Sequence, residues 1–237
     1  MITFSNLGQM GRLGNQLFQM STVIALATRH NDKYVFPPWK YENSFNLHSC
    51  FSSNIVSTET YREPSFTYTP IHYKPNINLF GYFQSEKYFA EHKNIISSLL
   101  TPKTVHSTIP GCTSIHVRRG DYLNLTKEYE QLDMNYYGGA MRITNSPRYM
   151  IFSDDIGWCK TQFVGNQFIF SEGKSEVEDL ALMLSCEHNI IANSSFSWWG
   201  AWLNKNPSKI VVAPHSWFGP ALPHDTKDLL PETWIKI

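Results

Sequence analysis

Apolar side chains recur at helical spacing between residues 15 and 29, where Leu17, Met20, Val23, Ile24 and Ala27 fall on one face. That rhythm predicts a helix over 15–29. A short strand is predicted over 34–36, stopped by Pro37-Pro38. Residues 40–80 show only the texture of loops and short strands. A second helix is predicted over 85–100, ended by the Thr101-Pro102 step, because the residue before a proline is pushed out of the α region. From Cys112 onward the pattern becomes regular. Runs of β-branched and aromatic residues predict strands over 113–117, 149–152, 167–170, 189–192 and 209–213. Helices are predicted between them over 133–143, 155–163, 176–186 and 196–203. The third of these opens with Ser175-x-x-Glu178, a capping box. Such alternation argues for an α/β chain whose C-terminal half is a doubly wound parallel sheet. The change of texture puts the expected domain boundary at 110/111, with an N-terminal domain over 1–110 and a C-terminal domain over 111–237.

Open parallel sheets bind ligands beyond the carboxyl ends of their strands. Three polar clusters fall at those predicted ends: residues 116–121, Ser153-Asp154-Asp155 and Asn193-Ser194-Ser195. In the first, His116-Val117-Arg118-Arg119-Gly120-Asp121, adjacent arginines leaving a strand point to opposite sides. One can face a ligand while the other braces the loop. A guanidinium grips phosphate bidentately and favours the charge that grows on a departing diphosphate. The plain alternative is a surface ion pair of Arg118 or Arg119 with Asp121. In Asn193-Ser194-Ser195-Phe196, small hydroxyl residues open a helix, so hydroxyls and free N–H groups can converge on an anion, although a simple serine cap gives the same string. Trp198, Trp199 and Trp202 read as packing on that helix, with Trp198 and Trp202 on one face. Asp154-Asp155 suits either a divalent metal beside a diphosphate or a helix cap, and the cap is the favoured reading. Near the N-terminus, the glycines of Gly8-Gln9-Met10-Gly11-Arg12-Leu13-Gly14-Asn15 suit a tight strand-to-helix turn. Their spacing is not that of a dinucleotide fingerprint, and the chain has no phosphate-binding Gly-Lys-Ser/Thr loop.

Composition narrows the classes. Of 237 residues, 42% are hydrophobic and 17% charged, enough apolar content for a real core and too much for a disordered chain. The formal net charge of zero leaves no broad basic face for nucleic acid, while a small anion needs only a local cluster. Aromatics at 14% serve core packing or sugar and base stacking, and packing is favoured. Cys50, Cys112, Cys159 and Cys186 lie far apart, without zinc spacing or a disulfide framework, and are expected as buried thiols. No signal-like N-terminus and no apolar run of roughly 20 residues is found. A cytoplasmic protein is expected, which leaves room for peripheral membrane contact.

Four segments together resemble glycosyltransferase family 11, the α1,2-fucosyltransferases. They are Gly11-Arg12-Leu13-Gly14-Asn15-Gln16-Leu17-Phe18-Gln19, residues 116–122, Phe152-Ser153-Asp154-Asp155-x-x-Trp158-Cys159, and residues 192–203 with their Trp198-Trp199-Gly200-Ala201-Trp202 core. They occur in the family's order and span most of the chain. The resemblance implies a GT-B-type fold of two Rossmann-like halves facing a cleft. The N-terminal domain would take the acceptor side and the C-terminal domain the GDP-fucose. It implies transfer of fucose from GDP-β-L-fucose to O2 of a terminal galactose on an oligosaccharide, with inversion and without metal or other cofactor. Arg118 matches the family's arginine on the donor diphosphate, with Arg12, Arg119, Asp154, Ser194, Ser195 and Phe196 as further donor contacts. Asp179 lies sixteen residues before Ser195, the interval at which the wider fucosyltransferase group places an acid that reads guanine. The alternative for Asp179 is a first-turn acid of a capped helix, a part Glu176 and Glu178 also fit. Asn15 matches an asparagine near the reacting sugar. Asp121 and His116 are the titratable candidates for taking the acceptor's proton, and the sequence does not rank them. Competing readings are the same fold acting on another sugar nucleotide or acceptor, a non-catalytic carbohydrate-binding protein, and a GDP-sugar hydrolase. The Asn193-Ser194-Ser195 sequon lies inside the expected site, where a glycan would block it, in keeping with a cytoplasmic protein.

Overall fold

The computed structural model describes residues 1–47, 49–104 and 107–237. Its contacts divide the chain into two compact units. One comprises Met1–Lys103 with Asp225–Pro231, and the other Thr104–His224 with Glu232–Ile237.

The first unit is built on four parallel strands: β1 (Ile2–Thr3), β2 (Tyr34–Val35), β3 (Glu59–Arg62) and β4 (Ile77–Phe80), in the order β2-β1-β4-β3. Helix α1 (Leu13–Arg29) follows β1 and is buried along most of its length. It begins two residues before the predicted start. The helix predicted over 85–100 is shorter than the pattern suggests. Two 3-10 turns, Glu86–Tyr88 and Ala90–His92, precede a short α2 (Lys93–Leu100). The helical backbone is interrupted at Phe89, whose φ −144, ψ 0 is not α-helical, and both Tyr88 and Phe89 are buried there. Asp228, from the returning segment, is fixed in this unit by Lys87 Nζ at 2.6 Å and by the Tyr68 backbone N–H at 3.0 Å.

The second unit carries six parallel strands: β5 (Ile109–Val117), β6 (Arg148–Ser153), β7 (Phe168–Phe170), β8 (Cys186–Ile190), β9 (Val211–Ala213) and β10 (Ile235–Lys236), ordered β10-β9-β8-β5-β6-β7. Between them run α3 (Met134–Thr144), α4 (Ile156–Gln162), α5 (Glu176–Ser185) and α6 (Ser195–Leu203). The five strands and four helices predicted after Cys112 are all present, within a few residues of their predicted ends. Alternation along β5 sorts its side chains. Ile115 and Val117 join Tyr137 and Ala140 of α3, Cys159 of α4 and Phe163 just past its end in one core. Ser114 and His116 face the other way, where Asn189 bridges Ser114 to the Met183 carbonyl of α5 and Ser197 of α6 meets His116. Helices therefore cover both faces, which is the doubly wound arrangement expected. The strand order reverses between β5 and β8, so the loops leaving these two strands diverge and open a crevice at their carboxyl ends. All four cysteines are free and buried. No helix among the described residues is long and apolar enough to cross a membrane.

Candidate active site

Both loops at the β5/β8 switch point carry predicted site residues. After β5 the chain passes through Arg118 and Arg119 into a 3-10 turn, Gly120–Asn124. After β8 it passes through Asn193 to Ser194, the N-cap of α6, whose Oγ accepts from the Phe196 N–H at 3.4 Å. Helix α6 thus starts one residue earlier than the pattern implies, and Ser195 lies in its first turn. The two loops are tied together. His116 Nδ1 and Ser197 Oγ are hydrogen-bonded at 2.9 Å, and the Tyr122 hydroxyl donates to the Asn193 carbonyl at 3.2 Å. The Asn193 amide donates in turn to the Glu130 and Trp217 carbonyls at 3.0 and 2.9 Å.

The adjacent arginines diverge. Arg119 lies 3.9 Å over the Trp158 ring and donates to Asp155 at 3.1 Å, so it is braced against α4. Arg118 packs 5.0 Å over the Tyr122 ring, pairs with Asp154 at 2.5 Å, and makes a short ion pair with Asp121. Only 12% of its side chain is exposed, against 47% of Asp121. The ion pair raised above as the plain alternative is therefore present for Arg118. Asp154 also accepts from the Arg119 backbone N–H at 2.9 Å, and Asp155 accepts from the Trp158 N–H at 3.1 Å, capping α4 as favoured from sequence. Backbone hydrogen bonding to Trp158 and the Arg119 side chain together hold Asp155 below the ordinary carboxylate range. Gly120 is dictated by close approach: a Cβ there would lie 2.5 Å from an Asp154 oxygen.

His116 is neutral at any working pH. Burial, aided by the Arg118 charge, lowers its pKa to about 3. Its ring meets Phe196 edge-on at 5.6 Å, so it supports the first turn of α6 from beneath. Asp179 is set apart from its acidic neighbours. Glu178 completes the capping box with Ser175, which leaves Asp179 to accept from Ser171 Oγ at 2.6 Å just beyond the end of β7. Burial raises its pKa despite that bond. Among the described residues no group of three or more His, Cys, Asp or Glu is arranged to hold a metal.

Sequence reasoning missed Tyr122 as the link between the loops and Trp158 as the platform of Arg119, although both stand in the quoted motifs. In the first unit, Arg12 is the exposed N-cap of α1, and Asn15 lies in the helix's first turn, where its Oδ1 accepts from Gln84 Nε2 at 2.7 Å. Gln84 was not singled out from sequence at all.

The family model described as Glycosyl transferase family 11 matches residues 3–237. The chain is 31% identical to an alpha-1,2-colitosyltransferase of Escherichia coli, over 96% of each chain. It is 27% identical to galactoside 2-alpha-L-fucosyltransferase Sec1 of Mus musculus, over 81% of this chain and 62% of the relative. A crystal structure of NodZ alpha-1,6-fucosyltransferase soaked with GDP-fucose overlaps 85% of this chain and 92% of its own, with a TM-score of 0.45 and 12% identity.

Proposed function

This chain belongs to glycosyl transferase family 11, and we propose that it transfers L-fucose from GDP-β-L-fucose to O2 of a terminal galactose, with inversion and without a metal. The observation that carries the reading is the junction of Arg118 with the first turn of α6 at the β5/β8 switch point, held by the His116–Ser197 and Tyr122–Asn193 hydrogen bonds. A helix N-terminus offers N–H groups without intrahelical partners, and a guanidinium adds two directed donors. Together they suit a diphosphate and favour it more as it departs with growing charge. Ser194, Ser195 and Phe196 line that turn, Arg119 braces the loop, and Asp154 orients Arg118.

Arg118 and Arg119 face three carboxylates, Asp121, Asp154 and Asp155. An incoming diphosphate therefore has to take Arg118 from one of them. Asp154 and Asp155 are each anchored by a backbone N–H, and Asp121 is the most exposed of the three. Asp121 is the carboxylate that yields, and on release it becomes the candidate to accept the acceptor's proton. His116, buried and neutral with its Nδ1 bonded to Ser197, is a positioning residue in this scheme. The other carboxylates of the cluster already serve arginines and α4, so the charge of leaving GDP falls to Arg118 and the α6 N–H groups.

Asp179 is assigned to guanine, whose N1–H and exocyclic amine are two donors facing one way. Replacing it with Asn should raise KM for the GDP-sugar roughly 10- to 100-fold, as expected for losing hydrogen bonds to a charged acceptor, and should erase discrimination between GDP and inosine diphosphate as inhibitors. Unchanged KM and retained discrimination would remove Asp179 from the site.

The relative named for colitose supports a second reading, in which the donor sugar lacks the 3-hydroxyl of fucose. The deciding assay combines the protein, chelator, a galactoside panel and one donor at a time: GDP-fucose, GDP-colitose, GDP-mannose or UDP-galactose. An α1,2-linked fucosyl product, read by NMR, is expected. Preference for GDP-colitose establishes the second reading, and free sugar released without any glycan points to hydrolysis. Glycan binding with no GDP affinity would sink the transferase assignment.

A further inference from the structure

The first unit has its own switch point, between β1 and β4, and a polar cluster is assembled there from loops far apart in sequence. Gly11 comes from the β1–α1 turn, Asn15 from the first turn of α1, and Gln84 from the segment after β4. That segment is held tightly. Glu63 accepts from the Tyr82 and Phe83 backbone N–H groups at 2.7 and 3.0 Å, and Phe83 takes a left-handed φ of 53. Gln19 Nε2 spans both loops, donating to the Met10 carbonyl at 3.1 Å and the Gly81 carbonyl at 3.4 Å. Gln16 ties the Gly11 carbonyl at 2.8 Å and accepts from Trp39 at 2.7 Å. The backbone is thus secured by Gln16, Gln19 and Glu63 without help from Gln84.

Among the described residues the Gln84 side chain has one hydrogen-bond partner. Its Nε2 donates 2.7 Å to Asn15 Oδ1, and that is the sole hydrogen bond of the Asn15 side chain among the described residues. Gln84 is itself buried, and the bond runs from its Nε2 to Asn15 Oδ1. With Oδ1 taken, the amide can turn only its Nδ2 donors outward. They lie over exposed Gly11, where φ is +77 and a Cβ would stand 2.4 Å from Nδ2. A glycine is needed there both for the backbone angle and for the space.

The geometry points to Gln84 as a positioning residue that fixes the Asn15 carboxamide with its donors presented to a hydroxylated ligand, a sugar, at the rim of the first unit. The inference rests on the transferase reading above, and a sugar hydroxyl or ring oxygen is the acceptor such a donor suits. Without Gln84 the amide is free to flip, and half of its orientations offer oxygen instead of N–H.

Gln84→Leu should lower kcat/KM for transfer about tenfold, the size expected for one misdirected hydrogen bond, while GDP affinity by calorimetry stays within about twofold. Combined with Asn15→Ala, it should add nothing further, because its effect passes through Asn15. An undiminished effect of Gln84→Leu in the Asn15→Ala background would overturn the assignment. Should the leucine variant fold poorly, Gln84→Glu assayed at pH 8 takes its place. It keeps the size but can only accept, so it turns the Asn15 amide round and should lose the same about tenfold while melting with the native protein. Full activity in that variant would equally overturn the role. A protein that binds no GDP at all would instead defeat the transferase reading, whatever Gln84 does.

Discussion

Arg118→Ala should lower kcat for transfer by roughly 10²- to 10³-fold, about 3–4 kcal/mol, the cost of removing one directed donor from a developing negative charge. The fold should survive, and the structure gives the reasons. The Arg118 side chain sits at the end of β5 and pairs with carboxylates that keep water or other partners: Asp121 is half-exposed, and Asp154 retains the Arg119 N–H. Partly exposed ion pairs of this kind contribute at most about 1 kcal/mol to stability. Thermal unfolding should thus show a midpoint within a few degrees of the parent protein while turnover collapses. Arg118→Lys sharpens the test, because lysine restores the charge but not the planar pair of donors. It should recover only part of the loss. If lysine restores full turnover, Arg118 acts as a point charge and not through directed contact. If alanine leaves turnover within a few-fold of normal, the diphosphate is held elsewhere.

That result also bears on how far the site could be read before the structure. The strand-end clusters of the second unit were legible because parallel βαβ units place every loop of interest at one edge of the sheet. Finding the strands was equivalent to finding that edge. The direction of each side chain was only partly legible. Alternation along β5 forecasts that Arg118 and Arg119 diverge, and they do, yet it does not tell that Trp158 is the platform for one and Tyr122 for the other. Those contacts join residues that are distant in the chain and are decided by how α4 and the 3-10 turn pack. The first unit was far less legible. Strands β1, β3 and β4 have two to four residues each, too few for a period of two to rise above the surrounding loops. The Asn15–Gln84 bond spans sixty-nine residues and leaves no pattern in either neighbourhood. In the Asp225–Pro231 segment, which returns to the first unit, Leu229 and Leu230 are buried and Asp228 meets Lys87 and the Tyr68 backbone N–H, yet two apolar residues in a short polar stretch give no periodic signal.

Trp198→Ala should cost about 3–5 kcal/mol of stability, the range for emptying a fully buried tryptophan site, and should lower the melting midpoint on the order of 10 °C for a chain of this size. Trp198 is wholly buried, stacks on Trp202 at 6.0 Å and 15°, and meets Trp199 at 5.0 Å and Trp234 at 5.4 Å. Three large neighbours that brace one another relax poorly into a cavity, which places the expected loss toward the upper part of that range. The consequence for function follows from where the cavity opens. Seven of the nine residues of α6 are buried, so the helix meets the surface only at its first turn, Ser194 to Phe196. A helix apolar on every side has no orientation of its own; packing alone sets it. Trp198 is also the residue whose N–H closes that turn onto the Ser194 carbonyl at 3.1 Å. Removing its side chain loosens the helix at the end proposed to meet the diphosphate. GDP affinity should therefore fall by more than it does in Trp202→Ala, which empties the same cluster one turn further from the ligand. Equal losses of stability with equal GDP affinities in the two variants would show that α6 is held independently of its tryptophans, and the anion site would then rest on Arg118 and its loop alone.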